Sequence, residues 1–402
     1  MTTSDRDILE AARELKPWLV GLRRAFHRRP ELGLEEAWTA STIEARLDEL
    51  GLVHERRGTA VVALLEGGRP GPCVALRADI DALPIKEAPG REGYRSEVEG
   101  LMHACGHDAH MTIQLGAARL LADRRGGLPG SVKLLFQPAE ETVGGADTMI
   151  KDGCLENPHA DRVYGLHVMP YLPVGAIETR RGALNGCSAT LFFEVRGKGA
   201  HGAYPEQGVD AILIAANVVT ALNTLVSRYV SPLEEAVITI GTISGGTASN
   251  VLAGSVSMEA SLRATSGPSR DALISRAVSV AEGIAASYGG SATVRTVLGY
   301  EALINHDEAV DEVVEAATAL LGPNSIRWKA KPSMGVEDFS YYIKGRAGAF
   351  YHLGCGNEAR GITAPLHSTD FDIDEDCLPV GAAMQAALAL RYLEKATEGR
   401  TA

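Results

Sequence analysis

A chain of 402 residues, 45% of them hydrophobic, is long enough to bury a sizeable core and to fold as two domains. Its formal charge of −12, with no long basic run, argues against nucleic acid or an anionic membrane as partner and suits a cytoplasmic enzyme. Only 11 histidines and 6 cysteines are present, so a local concentration of them is informative.

In chain order, the polar and acidic start Met1 to Asp7 lacks the cationic segment and apolar run of a secretory signal, and a cytoplasmic location is expected. The cysteines, at 73, 105, 154, 187, 355 and 377, follow no disulfide spacing and are expected as free thiols in a reducing compartment. Cys73 to Asp81 is an apolar run of strand length that ends in Asp79 and Asp81. The segment His103-Ala-Cys-Gly-His-Asp-Ala-His110 then packs three imidazoles and a thiol into eight residues, the density of a metal site. The same spacings of four and three also fit one face of a core helix that merely carries histidines.

Met111 to Ala122 has the apolar spacing of a crossover helix, which the histidine cluster would open. Val132 to Glu141 and Val163 to Pro170 repeat the first pattern, apolar runs followed by Glu140 and Glu141 or carrying His167. In an open α/β sheet, ligands bind beyond the carboxyl ends of the strands, so three strands aim their tips at one place. Alternating strands and helices predict an α/β fold with a largely parallel sheet and helices on both faces.

From about Gly186 to Thr296 the order becomes strand 189–195, helix 209–229, strands 236–243 and 256–264, helix 270–287 and strand 292–298. This βαββαβ order predicts a ferredoxin-like domain inserted at 186–296 between the two parts, 1–185 and 297–402, of a catalytic domain. Free edges on its sheet make it a candidate lid and dimerisation domain, and a homodimer is expected. The longest apolar stretch, Val209 to Val230, is interrupted by Asn217, Asn223 and Arg228 and reads as an amphipathic or buried helix. Gly197-Lys-Gly-Ala-His-Gly202 imitates a dinucleotide fingerprint, but Pro205 delays the helix that would hold a pyrophosphate. Beyond the insertion come a strand at Ala349 to Gly354, a Gly-rich stretch with His367, and a closing helix at Leu378 to Leu393.

Cys105 beside His107 could be a thiol nucleophile with its base. Glu140 and Glu141 would be poor company for a thiolate unless cations were present.

The ordered motifs Phe26-His-Arg-Arg-Pro-Glu-Leu-Gly33, Arg77-Ala-Asp-Ile-Asp-Ala-Leu-Pro84, Met102 to Met111, Phe136-Gln-Pro-Ala-Glu-Glu141, Gly165-Leu-His167, Gly199-Ala-His201-Gly202, Met334-Gly-Val-Glu-Asp-Phe339 and Leu366-His367 span nearly the whole chain. Together they resemble the dinuclear metal amidohydrolases that include hippurate hydrolase, auxin-conjugate hydrolases and N-acyl-amino-acid amidohydrolases, relatives of aminoacylase and the zinc carboxypeptidases. The resemblance implies two divalent metals bridged by Cys105, one also held by His107 and His167, the other by Glu141 and His367. Such an N/O/S donor set suits zinc, with manganese, cobalt or nickel as alternative occupants.

By the same resemblance Glu140 is the general base, and His201 reaches across a dimer to stabilise the oxyanion. Asn250 and Arg263 clasp the substrate carboxylate, although Arg263 also suits a surface strand residue paired with an acid. Asp81 is expected to orient a metal-bound imidazole, and His103 and His110 are expected in packing or supporting roles.

The activity expected is hydrolysis of the amide bond of N-acyl amino acids to a carboxylic acid and a free amino acid. A carboxypeptidase or dipeptidase and an N-acetyl-diaminopimelate deacetylase are alternatives on the same scaffold. A metal-binding protein without catalysis is the alternative from another class.

Overall fold

The structure, a computed structural model, describes residues 3–401. Its contacts divide the chain into two compact units, one comprising Met1–Gly182, Ile304–Ala330 and Tyr341–Ala402, the other Ala183–Leu303 and Lys331–Ser340.

The first unit opens with three helices, α1 (Thr3–Glu14), α2 (Lys16–Arg28) and α3 (Ala37–Glu49). There follow β1 (Val53–Arg57), β2 (Ala60–Glu66), β3 (Arg69–Asp79), α4 (His107–Ala122), β4 (Pro129–Gln137), α5 (Gly145–Lys151), β5 (Arg162–Pro173) and β6 (Ile177–Thr179). The insertion contains β7 (Gly182–Asn185), β8 (Cys187–Arg196), α6 (Ala211–Tyr229), β9 (Ala236–Gly245), β10 (Ser255–Ala264), α7 (Gly267–Ser287) and β11 (Ser291–Leu298). The chain resumes with β12 (Leu303–Asn305), α8 (Asp307–Leu321), β13 (Ile326–Trp328), α9 (Ser340–Gly345), β14 (Ala347–Gly356) and α10 (Cys377–Thr401).

Eight strands form the main sheet in the order β1-β2-β4-β3-β5-β14-β6-β13. Its centre, β4-β3-β5-β14, is parallel, whereas β1, β2 and β6 join antiparallel. From Cys73 onward β3 is buried along its whole length, as expected of a parallel strand covered on both faces. One apolar core joins these strands to α1 through α4, α8 and α10. The α/β class and the largely parallel sheet match the expectation from the sequence.

Register decides what the sheet presents at one end. Asp79 pairs with Gln137 across β3 and β4, and Arg77 pairs with Gly165 across β3 and β5. The pairing of β3 with β5 ends there, two residues before Asp79 and His167. His167 lies within β5 rather than at its tip, because β5 runs on to Pro173.

In the second unit the sheet order is β11-β8-β10-β9, all antiparallel. Alternate residues of β8 and β10 are buried, so α6 and α7 cover one face and the other stays open. The order β8-α6-β9-β10-α7-β11 is the ferredoxin-like order. Lys331–Ser340, which has no periodicity to read, groups with this unit because Gly186 N–H donates to Ser333 O at 2.9 Å and Arg263 Nη1 to Met334 O at 2.8 Å. Helix α6 is long and apolar enough to cross a membrane by length and composition alone, but Ile214, Val218, Leu222 and Leu225 line the core of this unit. All six cysteines are buried free thiols.

Candidate active site

The site grows from the N-terminus of α4. Gly106 has φ 87°, a conformation in which glycine has no penalty, and a β-carbon there would stand 2.4 Å from Val168 Cγ2. This turn sends Cys105 and His107 toward β5 and the end of β3. Cys105 Sγ lies 3.2 Å from His167 Nε2 and 3.3 Å from His367 Nε2. His367 Nε2 in turn lies 3.0 Å from Glu141 Oε1, and His107 Nε2 lies 3.9 Å from the same oxygen. The donors of Cys105, His107 and His167 form one group of metal-ligating geometry and those of Cys105, Glu141 and His367 another, each within 4.8 Å. Cys105 is common to both. A third group joins His107 and Glu141 to Glu140.

The residues fit cations on several observations. The buried His107 Nε2 has no hydrogen-bond partner among the described residues. Its Nδ1 lies 3.2 Å from Asp81 Oδ1, so Nδ1 is engaged by the carboxylate and Nε2 is the ring nitrogen left to face a cation. His167 Nδ1 donates to Val168 O at 2.7 Å, which turns its own Nε2 lone pair toward Cys105. Burial, together with Glu141 and Glu140, pushes the Cys105 thiol well above its ordinary range. Burial would lower the pKa of His107, but Asp79, Asp81 and Glu141 outweigh it and raise it to about 10. Both shifts mark a pocket short of positive charge, which divalent cations supply. A thiol nucleophile is disfavoured there, because its thiolate would face two carboxylates.

The surroundings brace the donors. Asp79, fully buried, accepts from Arg77 Nη1 at 2.8 Å and from His110 Nδ1 at 2.6 Å. Despite burial, His107, His110 and Arg77 hold its carboxyl well below the usual range. His110 Nε2 accepts the Val168 N–H at 2.9 Å, so both its ring nitrogens are engaged. His110 therefore ties the backbone beside His167 to β3. Asp79 has no role among the expectations from the sequence; its spacing of two from Asp81, which in an extended run would put both on one face, was the available signal.

Three expected site residues lie in the second unit. His201 is exposed, and its Nδ1 accepts the Ala203 N–H at 3.1 Å. Asn250 is its neighbour, with Gly202 N–H donating to Asn250 O at 2.7 Å. Arg263 sits near the opposite end of β10, paired with Ser188, whereas Ser255 at the near end pairs with Arg196. Eight residues of strand separate Ser255 from Arg263, about 26 Å. Asn250 precedes β10 on its Ser255 side, so the two residues of the expected pair belong to opposite ends of this strand.

Residues 75–391 match the sequence pattern described as Peptidase family M20/M25/M40. The chain belongs to this family. The resemblance drawn from the motifs is borne out, and membership makes the chain a hydrolase acting on amide bonds. This M20 chain is 35% identical over 389 residues to thermostable carboxypeptidase 2 of Saccharolobus solfataricus, covering 95% of this chain and 97% of that protein. It is 38% identical over 401 residues to an IAA-amino acid hydrolase, ILR1-like 2, of Arabidopsis thaliana, covering 98% and 90%. The crystal structure of Bacillus subtilis YXEP protein, described as a dinuclear metal binding peptidase of the M20 family, matches with a TM-score of 0.83 at 32% identity, covering 95% of this chain and 99% of that one.

Proposed function

We propose that this M20 hydrolase cleaves the amide bond of N-acyl amino acids with two divalent cations held around Cys105. One observation carries the reading: Cys105 belongs to both donor groups, His107 and His167 completing one, Glu141 and His367 the other. Zinc suits this thiolate, imidazole and carboxylate set best, with manganese, cobalt or nickel as other occupants. When bound, the cations would polarise the scissile carbonyl and lower the pKa of water.

The chain's own groups do the rest. Glu140 takes a proton from the attacking water and returns it to the leaving amine. Asp81 fixes the His107 ring through Nδ1. His201 and Asn250, at one end of the second unit, serve the site of a partner copy in a homodimer, and Arg263 takes the substrate carboxylate. The free thiols favour a reducing compartment, the cytoplasm.

A carboxypeptidase reading is favoured by the Saccharolobus relative, since a peptide is chemically an N-acyl amino acid. The deciding experiment strips the protein with a chelator, restores each cation in turn, and compares rates on acetylated and benzoylated amino acids, an indole-acetyl amino acid and dipeptides. Faster turnover of the simple acyl amino acids is expected. Preference for dipeptides makes it a dipeptidase, and activity that survives complete metal removal refutes the mechanism.

A further inference from the structure

The turn that carries Glu140 and Glu141 is held in a conformation its own sequence does not favour. Ala139 has φ 57°, in the left-handed region where a β-carbon crowds the backbone. Neither glycine nor asparagine stands between Pro138 and Thr142 to ease it. The support comes from a residue 103 positions earlier: Glu36, fully buried, accepts the Ala139 N–H on Oε1 at 3.0 Å. Its Oε2 accepts the Thr59 hydroxyl at 2.7 Å, so the carboxylate is fixed at both oxygens.

The neighbouring loop presses on the same turn. A β-carbon on Gly33 would stand 2.6 Å from Thr142 Oγ1 and 3.0 Å from Ala139 Cα, so only glycine lets the two segments approach this closely. On the other side of residue 140, the Glu141 N–H donates to Asp81 Oδ2 at 3.0 Å. Glu140 therefore sits between two amides, each pinned by a carboxylate from a different part of the chain.

We propose that Glu36 is a positioning residue: through the Ala139 amide it sets where the Glu140 and Glu141 carboxylates stand. The inference rests on the reading of Glu140 as proton carrier and Glu141 as metal ligand. Glu36 touches no reacting atom, and its effect reaches the site through one backbone hydrogen bond and the strained residue that makes it. A carboxylate serving only the stability of the fold would leave turnover per folded molecule and cation affinity unchanged.

The test compares full-length Glu36→Ala, Glu36→Gln and Gly33→Ala with the wild type. It measures kcat and KM on an acetylated amino acid, zinc uptake by chelator-stripped protein, and amide exchange of the peptide spanning residues 138–144. For Glu36→Ala the expectation is a kcat lower by roughly tenfold to a hundredfold, with KM within about twofold. One of two zinc equivalents should bind about 10- to 100-fold more weakly. Exchange should quicken in the 138–144 peptide but not in β5. Glu36→Gln should restore all three, because its amide oxygen still accepts the Ala139 N–H while its NH2 donates to a rotated Thr59 hydroxyl.

Wild-type kcat, zinc uptake and exchange in Glu36→Ala would overturn the proposal, as would a Gln variant no better than Ala. Should Glu36→Ala fail to fold, Gly33→Ala carries the same prediction in weaker form, and wild-type behaviour there overturns it. The underlying reading fails separately, in the wild type, if that protein neither takes up two cations nor hydrolyses acyl amino acids. Exchange of the 138–144 peptide still decides the role of Glu36 in that case.

Discussion

Asp81 braces two residues of the site at once: Oδ1 lies 3.2 Å from His107 Nδ1, and Oδ2 accepts the Glu141 N–H at 3.0 Å. Of the two groups that share Cys105, one contains His107 and the other Glu141, so one carboxylate sets the relative placement of both. An Asp81→Asn variant can keep only one of these bonds, because its NH2 cannot accept. We expect its affinity for both cations to fall about 10- to 100-fold, read by competition with a chromophoric chelator. Unchanged affinity would remove Asp81 from the account of the site.

Glu140 adjoins a candidate ligand but is needed for neither of the two groups that share Cys105. Glu140→Gln keeps the shape of the side chain and removes its capacity to take a proton. We expect a loss in kcat of about 10²- to 10⁴-fold, with two cations still bound by elemental analysis. Near-normal turnover would rule out Glu140 as the base.

A pH response is built in away from the candidate ligands. The buried His27 ring lies 2.7 Å from Asp108 Oδ2 and 3.2 Å from Glu87 Oε1, while Arg91 donates to that Glu87 oxygen at 2.6 Å. Burial would raise the Glu87 pKa, but His27, Arg91 and the Ser96 N–H hold it down at about 2, from an ordinary value of 4.5. A depressed carboxylate contributes stability that is complete above its unfolded value of 4.5 and is lost as the pH falls through 2. Glu87→Gln should therefore be less stable than wild type at pH 7, and urea midpoints of the two should converge as the pH falls from 5 to 3. A gap that stays constant over that range would contradict this.

The legibility of the chain followed the range of each interaction. Buried parallel strands such as β3 are continuous apolar runs, and the α4 cluster concentrates its chemistry in eight residues, so both could be read directly. The inserted unit was readable because β8 and β10 alternate and because Asp210 caps α6 through the Ile212 and Leu213 amides. Glu36 was not readable, because its significance is a single bond across 103 residues to a strained amide. The three N-terminal helices and the grouping of Lys331–Ser340 with the insertion went unannounced, because the motifs Phe26–Gly33 and Met334–Phe339 mark the family and not the element or unit they belong to.

The placement of His201 and Asn250 at one end of the second unit gives the proposed dimer a test that does not depend on seeing it. If His201 serves the site of the partner copy, Glu140→Gln and His201→Ala damage different components of one shared site, and each homodimer should be impaired. In a mixed dimer, the protomer that retains Glu140 receives an intact His201 from its neighbour. Co-refolding equal amounts of the two variants should then restore about a quarter of the wild-type sites, because half of the dimers are mixed and each has one complete site. Activity no greater than the average of the two parent variants would mean that His201 acts within its own chain or not at all. Both β9 and β11 are edges of this sheet, and β9, with Ile243 56% exposed, is the edge on which pairing with a second copy is tested. A charge placed there, Ile243→Lys, should lower both the dimer fraction in sedimentation and the recovered activity together.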